Sequence, residues 1–482
     1  MANTLIRPVL LLVVTILASQ VTPRVCEAQD RPRLIVLTDF YKDPDDKQSM
    51  IRLLTCANEF EIEGVIATSL AYGDGAVHPE WILAQIDDYA AVYENLSTHG
   101  RDGNTFPSPE ELRQVVRSGA PVKRKFVGRN RGFAVPFPLA TRDTRACEPA
   151  DQWIGPDRDT PASQHIIRVV DRDDCRPVWV TIWGGAMDLA QALWRIRNDR
   201  TREEVRKFVS RLRVYQISWQ DTGVVWIWNN FPQLFLIHNR QALRGIYAEG
   251  APEMRSTQWV NEHIRQDHGV LGAGYPEANI KGIKEGDTPS FLHLLARGLS
   301  RPERPEWGGW GGRFERLDDE HRFYVDAADV HPSSQEPDRQ MRWAVGRWNS
   351  ASSNDLAARM DWCVLDYQDA NHHPITVVDG NTTRDILYRE VVAGQWIQLD
   401  ATGSRDPDND TLNYRWWQYV EAGSPDCMVS IANVNSAIAS FQAPDVVEPR
   451  SVHVVLSVSD EGQPPLTSYR RVIVSIKASA MN

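Results

Sequence analysis

Leu34-Ile-Val-Leu-Thr-Asp-Phe-Tyr-Lys-Asp-Pro-Asp-Asp-Lys-Gln48 is the stretch whose reading decides the fold. Leu34 to Leu37 is a short uninterrupted apolar run, the pattern of a parallel strand buried on both faces. Asp39, Asp43, Asp45 and Asp46 follow within eight residues. Met50, Ile51, Leu53, Leu54 and Ala57 then recur at helical spacing. The acids therefore occupy the turn between a buried strand and an amphipathic helix. In open α/β sheets that turn lies at the carboxyl end of the strand, where ligands bind. Aspartate at a helix start caps backbone N–H groups and suits the macrodipole, which accounts for one or two of these acids. Four of them repel one another unless a cation or a shared proton joins them, and an oxygen-only set suits Ca²⁺ or Mg²⁺.

The 482 residues are enough for two or three domains, and a net charge of −11 argues against a nucleic-acid polymer as partner. The 17 tryptophans lean toward carbohydrate, although indoles also fill cores. Arg7 followed by the apolar stretch Val9 to Ala18 reads as an export signal, too short to span a bilayer with ease, with cleavage near Ala28. The mature chain is then expected to be secreted, periplasmic or on the cell surface, with no membrane segment. Cleavage removes Cys26 and leaves an odd set, Cys56, Cys147, Cys175, Cys363 and Cys427, with no CxxC metal spacing. One bridge, with Cys147 and Cys175 as the candidate pair, suits an exported chain, and Cys56 reads as buried and free.

Ile62 to Thr68 is a second strand, so strand, helix and strand form a right-handed βαβ unit. Pro79 to Glu94 and Ser108 to Ser118 read as helices, and the basic, turn-rich Arg124 to Arg145 as a surface loop. Pro177 to Ile182 is a third strand running into Trp183-Gly-Gly185, and Leu212 to Ile217 a fourth, ending in Ser218-Trp-Gln-Asp-Thr-Gly223. Asp287 precedes Thr288-Pro289 at a helix start, and Met341 to Trp348 and Asn354 to Val364 read as two more helices. Beyond Asn371-His-His-Pro374, read as a linker, short alternating segments from Trp396 to Ile476, Met428 to Ala432 among them, indicate a β-sandwich. Within it Asp406, Asp408 and Asp410 offer oxygens to Ca²⁺ or form an Asx turn. The expected fold is α/β, a mainly parallel sheet flanked by helices, followed by a C-terminal β-sandwich. The expected divisions are a signal peptide at 1–28, an α/β domain at 31–315, a helical extension and linker at 316–370, and the sandwich at 371–482.

Thr38-Asp-Phe-Tyr-Lys-Asp-Pro-Asp-Asp-Lys-Gln-Ser49 resembles the inosine–uridine-type nucleoside hydrolases. It is closer to their nucleoside-hydrolase-like relatives, some described as cellulose-binding proteins. Phe60 to Thr68, Val77-His-Pro79, Asn230-Phe-Pro232, Glu285 to Leu292 and Pro305 to Gly312 extend the likeness over about Arg33 to Phe314. The C-terminal part is similar to an Ig-like, PKD or cadherin-like module.

The resemblance implies one Ca²⁺ at the pocket floor, held by Asp39, Asp45, Asp46, the carbonyl of Trp183 and Asp287. It also makes Asp39 the base for a water on that metal, which attacks an anomeric carbon. His78, Trp219, Asp221, Asn229 and Glu285 are the candidate substrate contacts. The chain departs from the true nucleoside hydrolases at Leu37 and Gly286, where those enzymes carry an aspartate and a histidine. A sugar other than ribose, or a polysaccharide end, is therefore expected. Two functions follow: an exported Ca²⁺-dependent hydrolase of glycosidic or N-glycosidic bonds, or a non-catalytic binder of cellulose-like carbohydrate using the same pocket and exposed tryptophans.

Overall fold

The structure, a computed structural model, describes residues 31–40, 44–69, 75–100, 103–122, 152–218, 220–277, 282–295 and 297–479. The signal segment, Asp43, the basic loop 124–145, Cys147 and Trp219 lie outside these residues. No helix among the described residues is long and apolar enough to cross a membrane.

The central sheet has eight strands. They are β1 (Arg33–Thr38), β2 (Glu61–Ala67), β3 (Val116–Ser118), β4 (Val178–Ile182), β5 (Leu212–Ile217), β6 (Phe235–Asn239), β7 (Phe314–Arg316) and β8 (Phe323–Asp326). Their order is β3-β2-β1-β4-β5-β6-β8-β7, with all neighbours parallel except β7 against β8. All six residues of β1 are buried. Alternation across the strand splits them: Leu34 and Val36 join the core on one face, Ile35 and Leu37 the core on the other. The buried Arg33 is tolerated because Glu63 on β2 pairs with it at 2.9 Å. From β1 the chain winds outward to β2 and β3, and later returns to lay β4 on the opposite side of β1. The strand order thus reverses between β1 and β4, and a crevice opens there at their carboxyl ends.

Some expectations are corrected. Ser108 to Ser118 is not one helix. The helix stops at Gln114, and Val116–Ser118 pairs with β2, whose open edge offers backbone groups that this segment meets. The segment 316–370 is not only helical, since β8 inserts beside β6 and carries β7 with it. Asn371-His-His-Pro374, read as a linker, is packed into the molecule: Asn371 and His372 are buried, the Asn371 carbonyl accepts from the Trp362 indole at 2.9 Å, and His373 meets Asp355 at 2.7 Å.

The C-terminal part has β9 (Leu387–Val392), β10 (Trp396–Asp400), β11 (Asn413–Gln418), β12 (Ile438–Gln442), β13 (Arg450–Ser459) and β14 (Thr467–Lys477). β10 pairs with β12, and the order β11-β13-β14-β9 makes the second sheet, both sheets contributing to one apolar core. Met428 to Ala432 is not a strand; only Ala432 bridges to Ser440.

Candidate metal centre at the strand crossover

Asp39 leaves β1 directly above this crevice and is only partly buried. Its carboxylate lies against Gly184, where any Cβ would collide with it. The glycine after β4 therefore makes the space the first aspartate occupies. Trp183, fully buried, is tied to β1 by its N–H to the Leu37 carbonyl at 2.8 Å, and its own carbonyl accepts from the Gln220 amide.

Asp45 and Asp46 open the helix Pro44–Thr55. Thr38, the last residue of β1, donates its hydroxyl to Asp46 Oδ1. Asp45 Oδ1 accepts the Asp46 N–H at 3.2 Å. Asp287 comes from the other end of the domain and is 3 % exposed. Its carbonyl accepts from the Ser290 hydroxyl at 2.6 Å, which in turn accepts the Trp183 indole N–H at 2.8 Å. The late aspartate is thereby keyed to the end of β4. Carboxylate oxygens of Asp45, Asp46 and Asp287 lie within 4.8 Å of one another, the one group of this kind among the described residues. Lys284 Nζ stands 4.0 Å from Asp45 Oδ2. Three carboxylates grouped so closely offer an oxygen-only set of the kind a hard divalent cation takes.

Asp39 is not in that triad. The structure puts it beside Gly184, so of the five expected ligands three converge directly, while Asp39 lies against Gly184 and the carbonyl of the preceding Trp183 accepts from Gln220. Among the expected substrate contacts, His78 caps the helix Pro79–Ala90 in position, stacks on Trp81 with ring centroids 3.9 Å apart, and meets Glu80 at 2.7 Å. Asp221 is buried and accepts the Gly223 N–H at 2.8 Å. Asn229 is exposed near the far end of the helix Gly223–Asn230, about 9 Å along the axis from its start. Glu285 is 0 % exposed, with one oxygen on Arg52 at 2.7 Å and the other on the Tyr275 hydroxyl at 2.7 Å. It braces the loop before Asp287 rather than facing the crevice.

That brace had not been foreseen from the sequence. Gln48 donates to the Pro276 and Gly282 carbonyls at 2.9 and 3.2 Å and accepts the Lys284 N–H at 2.7 Å, and Ser49 meets Thr288 at 3.1 Å. The signal was adjacent to the acids: polar Gln48, Ser49 and Arg52 all fall on the buried side of an amphipathic helix.

Residues 33–314, more than half of the chain, match the family described as cellulose-binding Sde182, nucleoside hydrolase-like domain. The chain belongs to that family. Residues 396–476 match the C-terminal domain of cellulose-binding protein Sde0182. Among solved structures, a nucleoside hydrolase-related hypothetical protein from Saccharophagus degradans, described as associated with carbohydrate metabolism, is 34 % identical. The match covers 93 % of this chain and 100 % of that one, with a TM-score of 0.77. The effector protein XOO4466 also matches, at 10 % identity over 70 % of this chain and 95 % of its own, but its TM-score of 0.36 carries no weight. No curated protein matches. Family membership agrees with the expected resemblance, and the nucleoside-hydrolase-like sheet is the fold observed.

Proposed function

We propose that the chain is an exported, Ca²⁺-dependent hydrolase of glycosidic or N-glycosidic bonds that works at the crossover between β1 and β4. The observation that carries this reading is the convergence of Asp45, Asp46 and Asp287 from opposite ends of the domain. A Ca²⁺ held by these three would lower the pKa of a water and fix sugar hydroxyls beside it. Asp39, at a strand end and partly open to solvent, is the residue suited to take the proton from the attacking water. Its neighbour Gly184 leaves room for the carboxylate. Negative charge around the crevice also favours an oxocarbenium-like transition state.

The test is a panel of glycosides and nucleosides with and without Ca²⁺. Asp39→Asn is expected to lower kcat by about 10²–10⁴-fold. Equal turnover by the variant sinks the mechanism. Calorimetry with Ca²⁺ should show binding that Asp46→Ala abolishes.

A second reading, non-catalytic binding of cellulose-like carbohydrate, is favoured by the family description and by Trp396, which is 64 % exposed on β10. Retention of a glycan that is never cleaved, lost on Trp396→Ala, would make it the correct one.

A further inference from the structure

Ser218 follows β5, the strand next to β4, in a backbone conformation that serine rarely takes. Its φ is 55°, in the left-handed region where glycine is at ease and a side chain is strained. The fold holds it there. The Ser218 N–H donates to the Asn239 carbonyl at 2.7 Å, and the Asn239 side chain is fixed between the Tyr215 hydroxyl at 2.8 Å and the Leu243 N–H at 2.7 Å. Ser218 is 0 % exposed, and its hydroxyl is buried without a hydrogen-bond partner. Glycine would meet the demand of the backbone and bury no unmet hydroxyl, so neither the turn nor the core accounts for a serine.

The register sets this hydroxyl beside the crevice. Leu37 on β1, Ile182 on β4 and Gln216 on β5 are aligned across the sheet. Two residues on, Asp39, Gly184 and Ser218 follow in the same line. The exit of β5 lies along the exit of β4. The Gln216 amide reaches the Gly184 carbonyl at 3.5 Å, the Gln220 amide donates to the Trp183 carbonyl, and a Cβ on Gly223 would stand 2.9 Å from the Ala186 carbonyl carbon. Gln216, two residues before Ser218, is 0 % exposed. Its amide makes only long contacts, the other being 3.4 Å to the Ile217 carbonyl, and its side-chain carbonyl is buried and unmet. Buried polar groups are almost always paired, and strained backbone held in place by its neighbours gathers at sites that bind or react. Both unmet oxygens are neutral, so they call for an O–H donor and not for an ion. An anion would also meet the Asp39 carboxylate across Gly184.

We propose that Ser218 and Gln216 form a hydroxyl-recognising wall of the crevice, which holds a neutral sugar ring and selects it over a uronate or a phosphorylated sugar. Ser218 Oγ and Gln216 Oε1 accept hydrogen bonds from two hydroxyl groups of the ring. The inference rests on the β1–β4 crossover being the substrate site and names the class of sugar that it takes.

The experiment uses the full-length chain in Ca²⁺, with D-glucose, D-ribose, cellobiose and D-glucuronate as calorimetric probes, and thermal melts without sugar. At least one neutral probe should bind, with glucuronate at least about tenfold weaker. Ser218→Ala and Ser218→Gly should each weaken that neutral sugar by about tenfold, the loss of one neutral hydrogen bond. Without sugar both variants should melt no lower than the wild type, with Ser218→Gly the higher because glycine relaxes the left-handed backbone. A serine that merely held the loop would lose affinity and Tm together. Sugar binding undiminished in both variants overturns the proposal, as does a Tm that falls in both, or a wild type that binds none of the neutral probes. Failure of the hydrolase reading looks different: a sugar that is bound, lost in Ser218→Ala, and released from no glycoside ends hydrolysis and leaves this wall standing. Glycoside cleavage with kcat and KM unchanged in Ser218→Ala does the reverse.

Discussion

Gly184 and Asp39 act as a pair, one residue's missing side chain making room for the other's carboxylate. Gly184→Ala is therefore expected to push Asp39 out of line while leaving the Asp45, Asp46 and Asp287 triad in place. Misplacement of a reacting group by about 1 Å can cost on the order of 10²-fold. The turnover of any glycoside found to be cleaved should fall by about that factor, with Ca²⁺ affinity by calorimetry unchanged. A parallel loss of Ca²⁺ binding would instead make Asp39 a ligand. The acids themselves were legible because four carboxylates in eight residues exceed what capping needs. The roles of Glu285 and Asn229 were not. Sequence distance says nothing about which way a carboxylate or amide faces, and both residues were named for their proximity to motifs.

At the scale of elements, the helix Pro44–Thr55 does two tasks at once. Its first turn presents Asp45 and Asp46, and its buried side holds the Lys284–Thr288 segment through Gln48, Ser49 and Arg52. Arg52 also donates to the Ser352 carbonyl, which ties in the helix Asn349–Asp361. Arg52→Met would leave Glu285 buried and charged with only the Tyr275 hydroxyl on it. A loss of about 3–5 kcal/mol is expected, read as a lower urea midpoint at unchanged m-value. The strand and helix alternation of the described residues up to β6 was readable from hydrophobic period, since continuous apolar runs and 3.6-residue spacing differ plainly. β3, only three residues long, was not, because nothing in three residues outweighs the helical pattern before it.

Across the whole molecule, the two parts share a core. Tyr419, Val455 and Tyr469 of the sandwich pack in the same apolar cluster as Trp310 and Trp348. Asp329 lies in that contact, taking the Tyr419 hydroxyl at 2.6 Å and the Arg313 and Arg347 guanidinium groups at 2.6 and 2.8 Å. Tyr419→Phe should cost about 1–2 kcal/mol, seen in the midpoint of a single melting transition. A chain ending at residue 370 should aggregate rather than run as a monomer in size-exclusion chromatography, because its half of this cluster would face water. Acid should unfold the protein in two windows. Burial pushes His293 and His373 down from 6.5 to about 4, so the unfolded chain binds more protons between those values. Stability therefore falls as pH drops from 6.5 to 4, by about 3 kcal/mol for each histidine. Burial alone would raise Glu59, but Arg384, Arg297 and Arg359 outweigh it and hold it at about 2. Its contribution is present above 4.5 and lost as pH falls toward 2. Urea midpoints measured across this range check both windows, and a flat profile from 6.5 to 4 would contradict the first.

By itself the sequence determined the α/β class, the acidic turn at the carboxyl end of the first strand, and the likeness to nucleoside hydrolases. Each rests on local pattern: apolar period, charge spacing and contiguous motif. Only the tertiary structure decided that the joint at Asn371 is buried, that β7 and β8 complete the sheet, and that Asp287 joins Asp45 and Asp46 while Asp39 lies against Gly184. Those are contacts between residues far apart in the chain. Local periodicity sets which face of an element is apolar, but which distant faces meet is settled by how all the elements pack together.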